Sequence, residues 1–165
     1  MVASLGKSRH GTGEEADALA TVSRELTAIR DGLASFIDAD TAAYDSVVEA
    51  YKLPKATEEE KRQRTLAVQE ALRSATDVPL QVMRACVDAA KRALVIARCG
   101  YAPAASDVGV ALELLQAAAA GAALNVQANL GQLRDGTYVA GVAAATRTLE
   151  GELANTLAQA RDALR

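Results

Sequence analysis

Apolar residues recur every three or four positions along most of the chain. From about Glu14 to Lys52 they fall at Leu19, Val22, Leu26, Ile29, Leu33, Phe36, Ile37, Tyr44, Val47 and Tyr51, the spacing of one helix face. Gly11-Thr12-Gly13 separates this run from a short opening segment, Val2 to Arg9. Leu53-Pro54-Lys55-Ala56 ends it, because proline disfavours a helical conformation in the residue before it. Thr57-Glu58-Glu59-Glu60 opens a second helix with a capping box, in which a threonine hydroxyl covers a free amide and a glutamate three residues on reaches back. Leu66, Val68 and Leu72 continue that helix, and Pro79 is expected to kink or restart it near Thr76-Asp77-Val78. A further helical pattern runs to about Cys99, and Gly100-Tyr101-Ala102-Pro103 reads as a turn. Ser106 is placed to cap the next helix, Asp107 to about Leu130, which is apolar nearly all round and so expected to be central and buried. Gly131 and Asp135-Gly136 interrupt the pattern before a last amphipathic helix, Tyr138 to Leu164.

Composition strengthens this picture. The 165 residues include 38 alanines and 19 leucines against one phenylalanine, four tyrosines and no tryptophan. Alanine and leucine are the strongest helix formers, whereas strand-favouring aromatic residues are scarce. The expectation is an all-α, multihelical bundle forming a single domain over residues 1–165, and an all-β sandwich or barrel is excluded. A formal charge of −3 argues against a nucleic-acid binder, which usually carries a basic excess. Two cysteines, Cys86 and Cys99, and one histidine, His10, provide neither a disulfide scaffold nor a zinc ligand set. The N-terminus has no charged region followed by an apolar run of signal-peptide type. The stretch Val108 to Leu130 comes nearest to a membrane span, but Glu113, Gln116, Asn125, Gln127 and Asn129 interrupt it. No membrane partner is expected, and a cytoplasmic location follows by default.

Against so apolar a background a few polar residues stand out. At ~100° per residue, Leu33, Phe36, Ile37, Tyr44, Val47 and Tyr51 fall within one arc, and Asp40 lies in its middle. Asp31, Asp38 and Asp45 point to the opposite face. A carboxylate on a buried stripe should have a raised pKa unless a cation or several donors compensate, which makes it a candidate proton carrier. The alternative is an ion pair between Asp40 and a lysine or arginine of a neighbouring helix. Asn125 and Asn129 share a face one turn apart; they either fix helix register or line a polar pocket for a heterocycle with alternating donors and acceptors. Asp107 lies on that same face, roughly 27 Å from Asn125, in a first turn where the helix dipole favours an acid. The basic cluster Lys61 to Arg64 is either a solvated face or an attractor for a polyanionic tail. Gly11-Thr12-Gly13 lacks the spacing and the lysine of a phosphate loop, and no serine–histidine–acid set is plausible.

Several separated motifs then agree in order and spacing. FIDADTAAYDSVVEAYKLPKATEEEKRQRTLAVQEAL at Phe36–Leu72, DVPL at Asp77–Leu80, ASDVGVA at Ala105–Ala111, ALNVQANL at Ala123–Leu130, and Asp135 together resemble the formiminotransferase-cyclodeaminase family. The resemblance covers essentially the whole chain. It implies a small all-helical domain, dimeric as a rule, acting on the one-carbon bridge of tetrahydrofolate without metal or redox cofactor. Two reactions remain open: ring closure of formiminotetrahydrofolate with release of ammonia, or hydrolysis of the methenyl bridge. The family's catalytic aspartate matches the second acid of Asp38-Ala39-Asp40, so the resemblance makes Asp40 the proton carrier. Asn125, Asn129 and Asp107 become candidate substrate-binding residues, and Lys61 and Arg64 candidate partners of the folate's anionic glutamate tail.

Two departures accompany the resemblance. Members usually begin with a glycine-rich segment opening a long helix, of which Met1 to Lys7 resembles only the second half. The family's Gly-Asn before the Ser-Asp motif is Gly100-Tyr101 in this chain. The shortened start leaves a second possibility, a non-catalytic helical homologue serving as a dimerisation or interaction module.

Overall fold

The computed structural model describes Ala3 and residues 13–99 and 102–165. Within them lie four long helices: α1 (Glu14–Lys52), α2 (Glu58–Cys99), α3 (Ala105–Leu130) and α4 (Gly136–Ala163). A short 3-10 turn, Ala102–Ala104, precedes α3, and no strand occurs among the described residues. The opening segment Val2 to Arg9 (apart from Ala3), His10, Gly11-Thr12 and the Gly100-Tyr101 part of the turn lie outside them. The all-α bundle read from composition is the observed fold.

Local chemistry explains most of the boundaries. Gly13 precedes α1 with a φ of 150°, a conformation that side-chain-bearing residues rarely adopt. The Thr57 box forms as expected: the Glu60 amide donates to Thr57 Oγ1 at 3.1 Å, and the Thr57 amide donates to a Glu60 carboxylate oxygen at 2.9 Å. At the start of α4, Asp135 accepts from the amides of Thr137 and Tyr138, both at 3.0 Å. Ser106, by contrast, caps nothing. Helix α3 already begins at Ala105, its N-cap position is Ala104, and no side chain bonds there, because the preceding 3-10 turn leads straight into the helix.

Pro79 does not restart the helix. Helix α2 runs unbroken through Pro79 for 42 residues. A proline inside a helix removes the amide that the carbonyl four residues earlier would have received. Here that carbonyl, on Ala75, accepts from Asn129 Nδ2 of α3 at 2.9 Å. Buried Thr76 also turns its hydroxyl back onto the Leu72 carbonyl at 2.7 Å. With its freed acceptor satisfied from outside, the helix continues.

The expected central helix, α3, lies at the side, and α2 is the hub that packs against the other three. Its buried residues include Leu72, Leu80, Met83, Cys86, Val87, Ala90 and Ile96. One core joins Leu19 and Val22 of α1 to α2, to Leu112 of α3 and to Leu153 and Leu157 of α4. A second joins Leu80 and Met83 to Val126 and Val142. Small residues such as Ala90 and Ala93 are buried beside the large ones, and each fully buried leucine contributes about 1.5–3 kcal/mol. Helix α3 buries Val108, Leu112, Ala119, Ala122, Ala123 and Val126 but leaves Val110, Leu114 and Leu124 exposed. Among the described residues it is the one helix long and apolar enough to cross a membrane, with 28% of its most apolar window buried in the fold.

Candidate active site

Helix α1 touches α2 differently along its length. Near its start it uses large residues, Leu19 and Val22, both buried. Beyond Leu33 the contact passes to an alanine edge: Ala43 is buried, and Ala50, also buried, packs on Val68 and Leu72 with Val47 beside them. The bulky arc that periodicity marks as core is rotated out of the α1–α2 seam. Ile37 is 69% exposed and Tyr44 67% exposed, and Asp40 is exposed between them. The buried carboxylate expected from the stripe is therefore a cleft carboxylate. Periodicity places it correctly on the helix but does not distinguish a face that meets a neighbour from one that faces a gap.

That gap is a trench between α1 and α3 with α2 as its floor. Its first half, about 260 Å³, is lined by Asp40, Tyr44, Val47, Leu72, Ala75, Pro79, Asn125, Ala128, Asn129 and Gln132. Its second half, about 360 Å³, is lined by Leu33, Phe36, Ile37, Val78, Val82, Ala117, Ala118, Gly121 and Ala122, and again by Asp40, Pro79 and Asn125. One half carries three side-chain amides and a phenol; the other is almost wholly apolar. Asp40, Pro79 and Asn125 stand at the junction. The structure thus brings Asp40, Asn125 and Asn129 into one cleft. No ion pair of Asp40 occurs among the described residues, so the neighbouring-helix partner is not found there.

The other candidates lie elsewhere. Lys61 lines a separate cleft of about 320 Å³ with Glu58, Arg62, Thr65, Leu66 and Arg134, and its ammonium contacts Glu58 at 2.6 Å. Arg64 is occupied structurally: its Nε donates to the Tyr51 carbonyl at 3.2 Å, and its guanidinium sits 5.2 Å from the Tyr51 ring centre. Asp107 is exposed in the first turn of α3 and lines none of these three clefts.

The loop between α3 and α4 supplies residues that sequence reasoning missed. Gln132 reaches the trench and Arg134 the Lys61 cleft. Gln69 fastens that loop to α2, donating to the Gln132 carbonyl at 3.1 Å and accepting from the Arg134 amide at 2.7 Å. Behind it, Arg73 pairs with Asp135 at 2.6 Å and lies 5.0 Å from the Tyr138 ring centre. The Tyr138 amide, the Arg73 charge and the Thr137 amide hold the Asp135 carboxyl below its usual range. Partial burial, and Asp77 accepting from its hydroxyl at 3.1 Å, push the Tyr138 phenol up to about 12. Through its hydroxyl Tyr138 ties the start of α4 to α2, donating to Asp77 and to the Arg73 carbonyl. Asp135 was marked in advance by the Asp135-Gly136 break and by the family resemblance; the other signals were Gly131 and the Asp77-Val78-Pro79-Leu80 motif.

Comparison with known proteins follows the same lines. Over 134 residues the chain is 40% identical to the methenyltetrahydrofolate cyclohydrolase of Methylorubrum extorquens, covering 81% of this chain and 64% of that protein. It is 38% identical over 106 residues to the formimidoyltransferase-cyclodeaminase of Mus musculus, covering 64% of this chain and 20% of that protein. It thus spans slightly under two thirds of the cyclohydrolase and a fifth of the longer enzyme. The crystal structure of a formiminotetrahydrofolate cyclodeaminase from Thermotoga maritima superposes with a TM-score of 0.87 at 24% identity, covering 99% of this chain and 78% of that one, a likeness of fold. The family model Formiminotransferase-cyclodeaminase matches residues 1–148, and the chain belongs to that family.

Proposed function

We propose that the chain is a folate one-carbon enzyme that hydrolyses the methenyl bridge of methenyltetrahydrofolate, with Asp40 as the proton carrier. The observation that carries this reading is the position of Asp40 where an amide-lined half-trench meets an apolar one. A folate has the same division. Its pterin presents alternating donors and acceptors, its aminobenzoyl ring is flat and apolar, and the reactive one-carbon bridge lies between them. Asn125, Asn129, Gln132 and the Tyr44 phenol suit the pterin, and Phe36, Ile37, Val78 and Val82 suit the aminobenzoyl ring. The bridge then lies beside Asp40.

Water adds to the electron-poor methenyl carbon while the Asp40 carboxylate accepts its proton. The adduct collapses by breaking one carbon–nitrogen bond, the released nitrogen takes up a proton, and the formyl product leaves. The net change consumes one water and releases one proton. Ring closure of the formimino compound needs the same group to move a proton from the attacking nitrogen to departing ammonia, so both activities are open to this trench. The cyclohydrolase relative, which matches the larger share of this chain, favours hydrolysis.

In this pose the glutamate tail leaves past Leu33 and Ala117, and Lys61 and Arg64 lie beyond the pterin end. The proposal requires no metal or redox cofactor, in keeping with the family resemblance. A homodimer belongs to the same proposal, because Val110, Leu114 and Leu124 offer a second copy an apolar face. Light scattering that gives the mass of one chain at micromolar concentration would refute the dimer.

The central test assays methenyl hydrolysis and ammonia release from formiminotetrahydrofolate side by side, for the parent and for Asp40→Asn. Loss of the favoured activity in the variant is expected. Full turnover by Asp40→Asn rejects the mechanism. A parent that binds neither folate by calorimetry supports the non-catalytic module instead.

A further inference from the structure

The Ala75 carbonyl links two residues that lie 50 positions apart in the chain. Its helical donor would be the amide of residue 79, and that residue is Pro79, which has none. Asn129 of α3 supplies the replacement, with Nδ2 donating to the carbonyl at 2.9 Å. Ala75, Pro79 and Asn129 all line the amide-bearing half of the trench.

An asparagine amide can turn over and exchange its donor for its acceptor, so by itself it offers a ligand either character. Here a carbonyl on one side accepts only, and this forces the NH₂ group toward α2. The other end of the amide, Oδ1, is left as the group that a bound molecule meets. It makes no hydrogen bond within the described residues, and no buried side-chain polar atom among them lacks a partner, so it retains access to the cleft.

We infer that Pro79 is a positioning residue that sets the hydrogen-bond polarity of the site: by freeing the Ala75 carbonyl it locks Asn129 with Oδ1 toward the trench, so that the site selects a ligand presenting an N–H donor there. The inference rests on the folate reading for its ligand, since a pterin carries ring and exocyclic N–H donors along one edge. The geometry of the unit itself does not depend on that reading. The proline is thus a selective device and more than a tolerated defect in α2. Replacing it by alanine restores the ladder amide, gives the Ala75 carbonyl its own helical donor, and leaves the Asn129 amide free to rotate.

The experiment compares the parent with Pro79→Ala, Asn129→Ala and the double variant. Alanine is a strong helix former, so Pro79→Ala is expected to fold. In isotope-labelled protein the Asn129 side-chain NH₂ resonance should be shifted and slow to exchange in the parent, and should move toward a solvent-like position in Pro79→Ala. In methenyltetrahydrofolate hydrolysis each single variant should raise KM about threefold to tenfold, the weight of one hydrogen bond, with kcat within about twofold. The double variant should lie within about twofold of Asn129→Ala alone, because the main effect of the proline passes through the asparagine and the contact of its own ring with the trench adds little. An unchanged NH₂ resonance in Pro79→Ala, or KM increases that multiply in the double variant, overturns the inference. A parent that shows the shifted resonance but neither binds nor converts methenyltetrahydrofolate overturns the folate reading and the ligand assignment with it.

Discussion

The two halves of helix α1 share one periodic stripe and have opposite fates. In the first half, Leu19 and Val22 are buried in the main core, where α1 packs on α2. In the second, the equivalent arc of Leu33, Phe36, Ile37, Asp40 and Tyr44 looks into a trench, while small Ala43 and Ala50 make the contact with α2. The helix does not break between them. What changes is which edge of the stripe carries bulk: alanines at one edge let the helix meet its neighbour there and leave the large residues overhanging. Most of a cleft can be built from the same apolar periodicity that builds a core, with a loop residue, Gln132, closing one end.

The largest effect expected from this contrast is catalytic. Asp40→Asn keeps shape and exposure but removes the ionisable group, and should lower kcat by about 10²–10⁴ if the carboxylate is a general base or acid. Asp38→Asn, on the opposite face of the same helix, should leave kcat within about twofold. Because Asp40 is exposed and makes no ion pair among the described residues, its variant should also melt within a degree or two of the parent. Equal losses of rate in both variants would mean that the acidic character of α1 matters and the position in the trench does not.

Stability should divide the helix the other way. Leu19→Ala removes a fully buried side chain from the main core and should cost about 2–5 kcal/mol in denaturant unfolding. Ile37→Ala, at 69% exposure, should cost under about 1 kcal/mol while raising KM for the folate whose aminobenzoyl ring it is proposed to flank. A large stability loss at Ile37 would show that the trench closes over it in solution.

The sequence carried much of this. Helix α1 was legible to its end residues, because Gly13 and Leu53-Pro54 are local signals acting on local backbone. Asp40 stood out because one charged residue on an apolar arc is visible in any register. Asn125 and Asn129 stood out on the same ground, and the trench holds them with Asp40. The remainder depended on pairing between helices. That α2 would be the hub, and α3 a flank with an exposed apolar side, turns on which faces meet, and all-round apolarity fits either place. That Pro79 would not break α2 depended on a donor from Asn129, fifty residues away. The loop residues Gln132 and Arg134 gave no periodic signal at all, and Gln69 holds them from another helix.

The smallest expected effect compares two helix starts that look alike in the sequence. Thr57 and Ser106 are both hydroxyl residues at the head of a helical pattern, yet only Thr57 bonds to a free amide. Thr57→Ala should therefore cost about 1 kcal/mol, within the usual span of about 0.5–2 for an N-cap. Some of that loss comes from Glu60, whose carboxylate is held below its usual range chiefly by the Thr57 and Ala56 amides and would keep those bonds in a looser geometry. Ser106→Ala lies one residue inside α3 on an exposed side, and should change stability by no more than about 0.5 kcal/mol. It substitutes the better helix former, which acts in the stabilising direction. Urea unfolding of the two variants separates the cases. Equal losses would place the start of α3 at Ser106 in solution, with the 3-10 turn frayed away from it, and the contrast between the two helix starts would disappear.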